Sequence, residues 1–311
     1  PQATSDHHGP QQVATGSHKP PLGPRPIFII VRNSVNLHMI MESSEQTPLL
    51  ASERPYNLGV ALSGGGARGF AHAGALKALG EAGLKPDIIC GVSAGSVVAV
   101  MYAGGVAPHD MLEVFENTGF KTWVQFDLGS GGIFKMDNFR KRVMKAISPY
   151  KKLEELPIKT IICATDLDDA TFTEFDSGSI GERMVASCSI PVLFKPQKIG
   201  SRSYVDGGVL QILPARTIRQ QCRTLIGINC SSMMPFGKST SIVDVAVRSY
   251  NLMARANQKE DMDVCDVVVD MRELAGYRSF NLKEIEKVYN SGYFATRRVL
   301  RDKGLWPDRK P

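Results

Sequence analysis

Asp87-Ile88-Ile89-Cys90-Gly91-Val92-Ser93-Ala94-Gly95-Ser96-Val97-Val98-Ala99-Val100-Met101-Tyr102-Ala103 changes character at its centre. Residues 87–90 read as a short buried strand, and 96–103 as a buried helix of small and apolar residues. A strand that turns straight into a helix holds the residue at the turn in a strained backbone conformation. Gly91 and Gly95 keep Cβ atoms out of the bend. The Ser93 hydroxyl then stands exposed at the N-terminus of a helix, whose dipole and free N–H groups favour negative charge beside it. Gly, Ser and Ala also cluster at ordinary turns, so the surrounding chain has to supply the specificity.

Working outward, Tyr56-Asn57-Leu58-Gly59-Val60-Ala61-Leu62 reads as a strand apolar enough for a sheet interior, followed by Ser63-Gly64-Gly65-Gly66-Ala67-Arg68-Gly69 and a helix over 70–82. Helices over 96–103 and about 108–117 follow the second strand. This alternation predicts parallel strands joined by crossover helices. Beyond an irregular stretch at 120–133, an amphipathic helix is expected over 137–147, a strand over 158–165, an edge strand over 171–175, and a helix over 182–187 that Pro191 ends. Strand-like Ser203-Tyr204-Val205 runs into Asp206-Gly207-Gly208, with a short helix over 214–221 after it. Strands over 225–229 and 265–270 flank a long helix over 241–262, and a helix over 282–301 closes the chain.

Residues 1–54 are rich in Pro, Gln, Ser and Thr and cannot bury enough apolar surface to offset their ordering entropy, so this tail is expected to be disordered or added sequence, with the folded domain over 55–311. The chain has 311 residues, 37 Lys and Arg against 31 Asp and Glu, and a formal charge of +6. That excess is modest and its acidic residues are interspersed, which argues against nucleic-acid binding and leaves a weak preference for anionic surfaces. Six cysteines form no Cys-x-x-Cys pair and sit mostly in apolar segments, the pattern of buried free thiols in a reducing compartment. No run of about 18 apolar residues and no leader-like segment is seen, so a cytoplasmic protein, at most peripheral to membranes, is expected. No group of His, Cys and carboxylates has metal-ligand spacing, and neither metal nor cofactor is expected.

The glycine loop admits two chemistries. As Gly-x-Gly-x-x-Gly it would bind a dinucleotide in an oxidoreductase, but that fold wants an acidic residue about 20 positions on, where this chain has Gly91-Val92-Ser93. As an oxyanion loop, N–H groups of Gly65 and Gly66 would face the carbonyl oxygen of an acyl group attacked by Ser93. A serine nucleophile needs a base, and no histidine follows His109. His72, at the start of the helix after the loop, reads better as a packed helix residue. The base is then a carboxylate, and Asp206, in a turn with Gly207 and Gly208, is best placed to approach another backbone; Asp166, Asp168 and Asp169 are rivals that read as loop and capping residues.

Taken together, residues 63–69, Gly91-Val92-Ser93-Ala94-Gly95, Ser189-Ile190-Pro191 and Asp206-Gly207-Gly208 resemble the patatin-like phospholipase family in its bacterial branch. The resemblance runs from about Tyr56 to Gly208 at least. It implies a three-layer α/β/α sandwich with a mostly parallel central sheet, and a Ser-Asp dyad that cleaves acyl esters of lipids without metal or cofactor. By position it makes Ser93 the nucleophile, Asp206 its partner, and Gly64, Gly65, Gly66 and Arg68 the oxyanion loop. The expected activity is that of a phospholipase A, lysophospholipase or esterase working through an acyl-enzyme, against a lipid-binding protein that kept the fold without the activity. Met136, Phe139, Val143 and Ile147 at helical spacing, beside Arg140, Lys141, Arg142 and Lys145, read as a surface helix packed on the core, or as a helix resting on anionic lipid at the site's mouth.

Overall fold

The computed structural model describes residues 51–115, 122, 124–126, 132–232, 241–277 and 281–307. Most of the tail expected to be disordered therefore lies outside the described residues. Described structure begins at Ala51, where a short 3-10 turn leads to Arg54, whose guanidinium donates to the Cys222 carbonyl at 3.1 Å.

In chain order the strands are β1 Tyr56–Leu62, β2 Ile88–Val92, β3 Gln125–Phe126, β4 Phe134–Lys135, β5 Lys159–Asp166, β6 Thr171–Phe175, β7 Gln197–Ile199, β8 Arg202–Asp206, β9 Cys222–Asn229 and β10 Val267–Asp270. The helices are α1 Phe70–Glu81, α2 Ala94–Ala103, α3 Asp110–Glu113, α4 Asp137–Ala146, α5 Ile180–Cys188, α6 Ala215–Arg219, α7 Ile242–Arg255, α8 Gln258–Asp263 and α9 Ile285–Asp302. The main sheet runs β10-β9-β1-β2-β5-β8-β7, with β6 also on β5, while β3 and β4 form a separate ribbon. Strands β10, β9, β1, β2 and β5 are parallel; β6 and β8 run antiparallel to β5, and β7 to β8. The mostly parallel sheet flanked by helices is the architecture expected from the sequence.

Successive residues of a strand face opposite sides of a sheet. Val60, Ala61 and Leu62 of β1 and Ile88, Ile89 and Cys90 of β2 are all fully buried, so both faces are covered. Each large side chain among them contributes about 1.5–3 kcal/mol relative to exposure. Five cysteines are buried, Cys265 is partly so, and all six are free. No helix among the described residues is long and apolar enough to cross a membrane.

Three expectations are corrected. The helix expected over 108–117 is reduced to the single turn α3, its last two positions lying outside the described residues. The long helix expected over 241–262 is broken into α7 and α8 at Ala256 and Asn257. The break lets Gln258 donate to the Asn229 side chain at 2.7 Å and Asp261 accept from the Arg216 amide at 3.1 Å, anchoring α8 to groups near the sheet. The Ser203-Tyr204-Val205 segment is the return strand of a hairpin with β7, turning at Gly200, rather than an isolated extended piece.

Candidate active site

Register brings the two candidate residues to one place. Val92 of β2 pairs with Cys163 of β5, and Ala164, the next residue of β5, pairs with Asp206 of β8. Ser93 and Asp206 therefore flank β5 on its two sides at the same level of the sheet. Leu62 pairs with Gly91 on the other side of β2, so the glycine loop that follows β1 emerges beside the turn carrying Ser93.

Ser93 has φ 52° and ψ −124°, a conformation that L-residues avoid and that a strand-to-helix turn imposes. Its surroundings over-determine it. The Ser93 amide donates to the Ser187 hydroxyl at 2.8 Å, which in turn donates to the Cys163 carbonyl at 2.6 Å. The Ser93 carbonyl accepts from the Ser96 amide at 2.9 Å and the Ser96 hydroxyl at 2.6 Å. A Cβ on Gly91 would lie 2.5 Å from backbone atoms of Gly95 and Ser96, and one on Gly95 would collide with the Leu62 carbonyl, so both positions require glycine. The amides of Ala94 and Gly95, in the first turn of α2, have no intrahelical acceptor.

Asp206 is fully buried. Its Oδ1 accepts from the Gly208 amide at 2.8 Å and from the Tyr250 hydroxyl at 2.9 Å. Oδ2 is buried with no hydrogen bond of normal length. Burial pushes the carboxyl up to about 6, and hydrogen bonding from Ser93, Gly208 and Tyr250 works the other way. The Ser93 hydroxyl thus acts on this carboxylate across a gap longer than an ordinary hydrogen bond, of the kind that tightens when substrate fills a site. A buried carboxylate poised near neutrality can take a proton from a hydroxyl at physiological pH.

In the glycine loop, Gly66 has φ 60° and opens a 3-10 turn that leads into α1. Gly64, expected in the oxyanion loop, spends its amide on the Ile212 carbonyl at 3.0 Å, whereas Gly65 and Gly66 line a recess with Ser93. Arg68 is buried, its side chain donating to the carbonyl of Gly65 at 3.2 Å and to that of Ser232. The geometry makes Arg68 a brace for the loop. Gly207 and Gly208 both pack tightly, a Cβ at Gly207 meeting the Cys163 carbonyl at 2.8 Å and one at Gly208 meeting the Asp206 carboxylate at 3.1 Å.

His72 is directed elsewhere. Its Nε2 lies 2.8 Å from the Ser63 carbonyl and 3.2 Å from Cys230 Sγ, and it is fully buried. Asp166 accepts from the amides of Asp168 and Asp169 at 2.8 and 3.2 Å and pairs with Arg202 at 2.7 Å, which holds its carboxyl low. The rivals to Asp206 therefore organise the turn between β5 and β6. Tyr250 is the residue that sequence reasoning missed: it stands 44 positions from Asp206 in an amphipathic helix, and nothing in that periodicity marks one tyrosine among the inward positions as a carboxylate partner.

Two recesses meet at Ser93, sharing Gly66 and Ile190. The larger, about 130 Å³, is walled among the described residues by apolar side chains, including Phe70, Val97, Phe115, Met136, Phe139 and Phe194. Such a wall suits an acyl chain and repels a charged one.

With this geometry described, comparison with known proteins becomes specific. The family model described as patatin-like phospholipase matches residues 60–218, which contain β1, the glycine loop, the Ser93 turn and Asp206. The chain belongs to the patatin-like phospholipase family. Membership leaves the dinucleotide reading of the glycine loop without support. Its relatives include an uncharacterised NTE family protein of Mycobacterium bovis, 32% identical over 51% of this chain and 44% of that protein. Others are "Lysophospholipase NTE1" of Kluyveromyces lactis, 24% identical over 76% of this chain and 18% of that protein, and mouse "Patatin-like phospholipase domain-containing protein 6", 26% identical over 76% and 18%. The chain thus spans less than half the length of the curated relatives it matches. VipD from Legionella pneumophila superposes with a TM-score of 0.46 at 15% identity, over 85% of this chain and 72% of that one.

Proposed function

We propose that this patatin-like phospholipase family member is a serine acyl hydrolase of lipids, with Ser93 as nucleophile and Asp206 as base. The observation that carries the reading is the strained Ser93 beside a fully buried Asp206 whose Oδ2 has no other partner. In the first half-reaction Ser93 Oγ attacks the ester carbonyl and its proton passes to Asp206. The amides of Gly65, Gly66 and Ala94 supply donors to the developing oxyanion, a contribution worth about 100- to 1,000-fold in turnover per donor. Collapse breaks the bond to the alcohol oxygen, which takes the proton from Asp206 and leaves, with the acyl group now on Ser93. Water then adds to the acyl-enzyme, giving its proton to Asp206, and the fatty acid departs as the proton returns to Ser93. The apolar recess holds the acyl chain throughout.

The test is hydrolysis of phospholipids, lysophospholipids, glycerides and short-chain esters by the parent and by Ser93→Ala. Turnover of at least one long-chain ester that the substitution abolishes supports the reading. Undiminished turnover by the variant refutes it.

A further inference from the structure

The second recess at Ser93 has a different chemistry from the first. It is small, about 30 Å³, the share of a single water molecule, and too narrow for another acyl chain. Its wall carries Arg68, Ser231, Tyr250, Asn251 and Arg255, with no carboxylate among the residues that line it. Asn251 and Arg255 lie one turn apart on α7, the helix that also supplies Tyr250 to Asp206. Arg255 is exposed and forms no ion pair among the described residues. It is near enough to Arg68 for the two charges to oppose each other. Two guanidinium groups drawn together with no acid between them form a positive site at the mouth of a recess that starts at the nucleophile.

An ester attacked by Ser93 with its acyl chain in the apolar recess must send its alcohol side the other way. Only a few atoms fit within 30 Å³, so whatever follows them emerges at the rim, beside Arg255. We infer that this rim is a phosphate subsite: Arg255, with Asn251 beside it, receives the phosphate of a single-chain glycerophospholipid whose glycerol occupies the recess. The inference rests on the acyl-hydrolase reading and names the leaving group. Glycerol separates ester from phosphate, which matches a narrow neck followed by a cationic rim. The guanidinium is solvent-exposed, so its effect is moderate and weakens with salt.

The experiment compares kcat/KM for a lysophospholipid and for the monoacylglycerol with the same acyl chain, in the parent, Arg255→Gln and Arg255→Lys. The expected result is that the ratio of lysophospholipid to monoacylglycerol turnover falls about tenfold in Arg255→Gln, mainly through KM, is partly restored by Arg255→Lys, and converges with the parent at high salt. Glycerol 3-phosphate should inhibit monoacylglycerol hydrolysis more strongly in the parent than in Arg255→Gln. An unchanged ratio, with both esters still hydrolysed, overturns the subsite and leaves the hydrolase reading standing. Inorganic phosphate inhibiting as well as glycerol 3-phosphate would assign the rim to free phosphate and overturn the head-group assignment. If the parent cleaves neither ester nor a soluble short-chain ester, the hydrolase reading fails and the subsite falls with it.

Discussion

Tyr250 donates its hydroxyl to Oδ1 of Asp206 at 2.9 Å, tying the middle of α7 to the end of β8. The bond fills one carboxylate oxygen and leaves the other for Ser93. Because burial raises the Asp206 carboxyl to about 6 and this bond opposes the rise, Tyr250→Phe should move the acidic limb of kcat/KM to higher pH. Parent activity should rise with pH through about 6, where the base becomes ionised. Folding stability has the opposite sign. With the folded-state value above the ordinary carboxylate value, the folded protein binds the extra proton between about 4 and 6, so Asp206 lowers stability as pH rises across that window. A pH-rate profile on a soluble ester checks the first point, and Tyr250→Phe with an unshifted limb would remove Tyr250 from the positioning of the base.

Gly95→Ala should unfold or severely weaken the protein, because its Cβ has no room against the Leu62 carbonyl and the obstacle is backbone. A loss of about 1–3 kcal/mol or more is expected, whereas Ser93→Ala should keep near-parent stability. Thermal unfolding of both variants decides it: equal midpoints would mean that β1 and α2 are less tightly apposed than described.

Val97→Phe should shorten the preferred acyl chain. Val97 lines the apolar recess, and the added ring would occupy much of its roughly 130 Å³. Rates over esters of increasing chain length should peak at a shorter chain than in the parent. A parallel fall at every length would place the acyl chain elsewhere.

The basic helix α4 combines both roles proposed for it from sequence. Met136, Val143 and Ile147 are buried against the core, Met136 and Phe139 line the apolar recess, and Lys141, Arg142 and Lys145 are exposed. Its placement beside the recess supports peripheral contact with anionic lipid. Changing Arg140, Lys141, Arg142 and Lys145 to Gln should reduce cosedimentation with anionic vesicles at low salt, each lost charge being worth on the order of 1 kcal/mol near the surface. Equal sedimentation of both proteins would remove α4 from lipid contact.

What could be read from sequence was whatever is local. Gly91-Val92-Ser93-Ala94-Gly95 carries its own geometry, since strand, strained serine and helix are adjacent, and β1 with its glycine loop is legible for the same reason. Asp206 was legible by elimination, because no suitably placed histidine follows Ser93. What stayed hidden depends on distant pairing: that β8 runs antiparallel beside β5, that α7 breaks before Gln258, and that Tyr250 and Arg255 turn toward Ser93. The commitment of the Gly64 amide to Ile212 is likewise set by residues nearly 150 positions away.

The central claim is that Asp206, and not His72, activates Ser93. The most direct measurement is the rate at which a fluorophosphonate labels the parent, Ser93→Ala, Asp206→Asn and His72→Ala, with the modified peptide identified by mass. The account predicts labelling on Ser93 in the parent, none in Ser93→Ala, a loss of at least about 100-fold in Asp206→Asn, and near-parent rates in any His72→Ala protein that folds. Undiminished labelling of Ser93 in Asp206→Asn, with loss in folded His72→Ala, would contradict it.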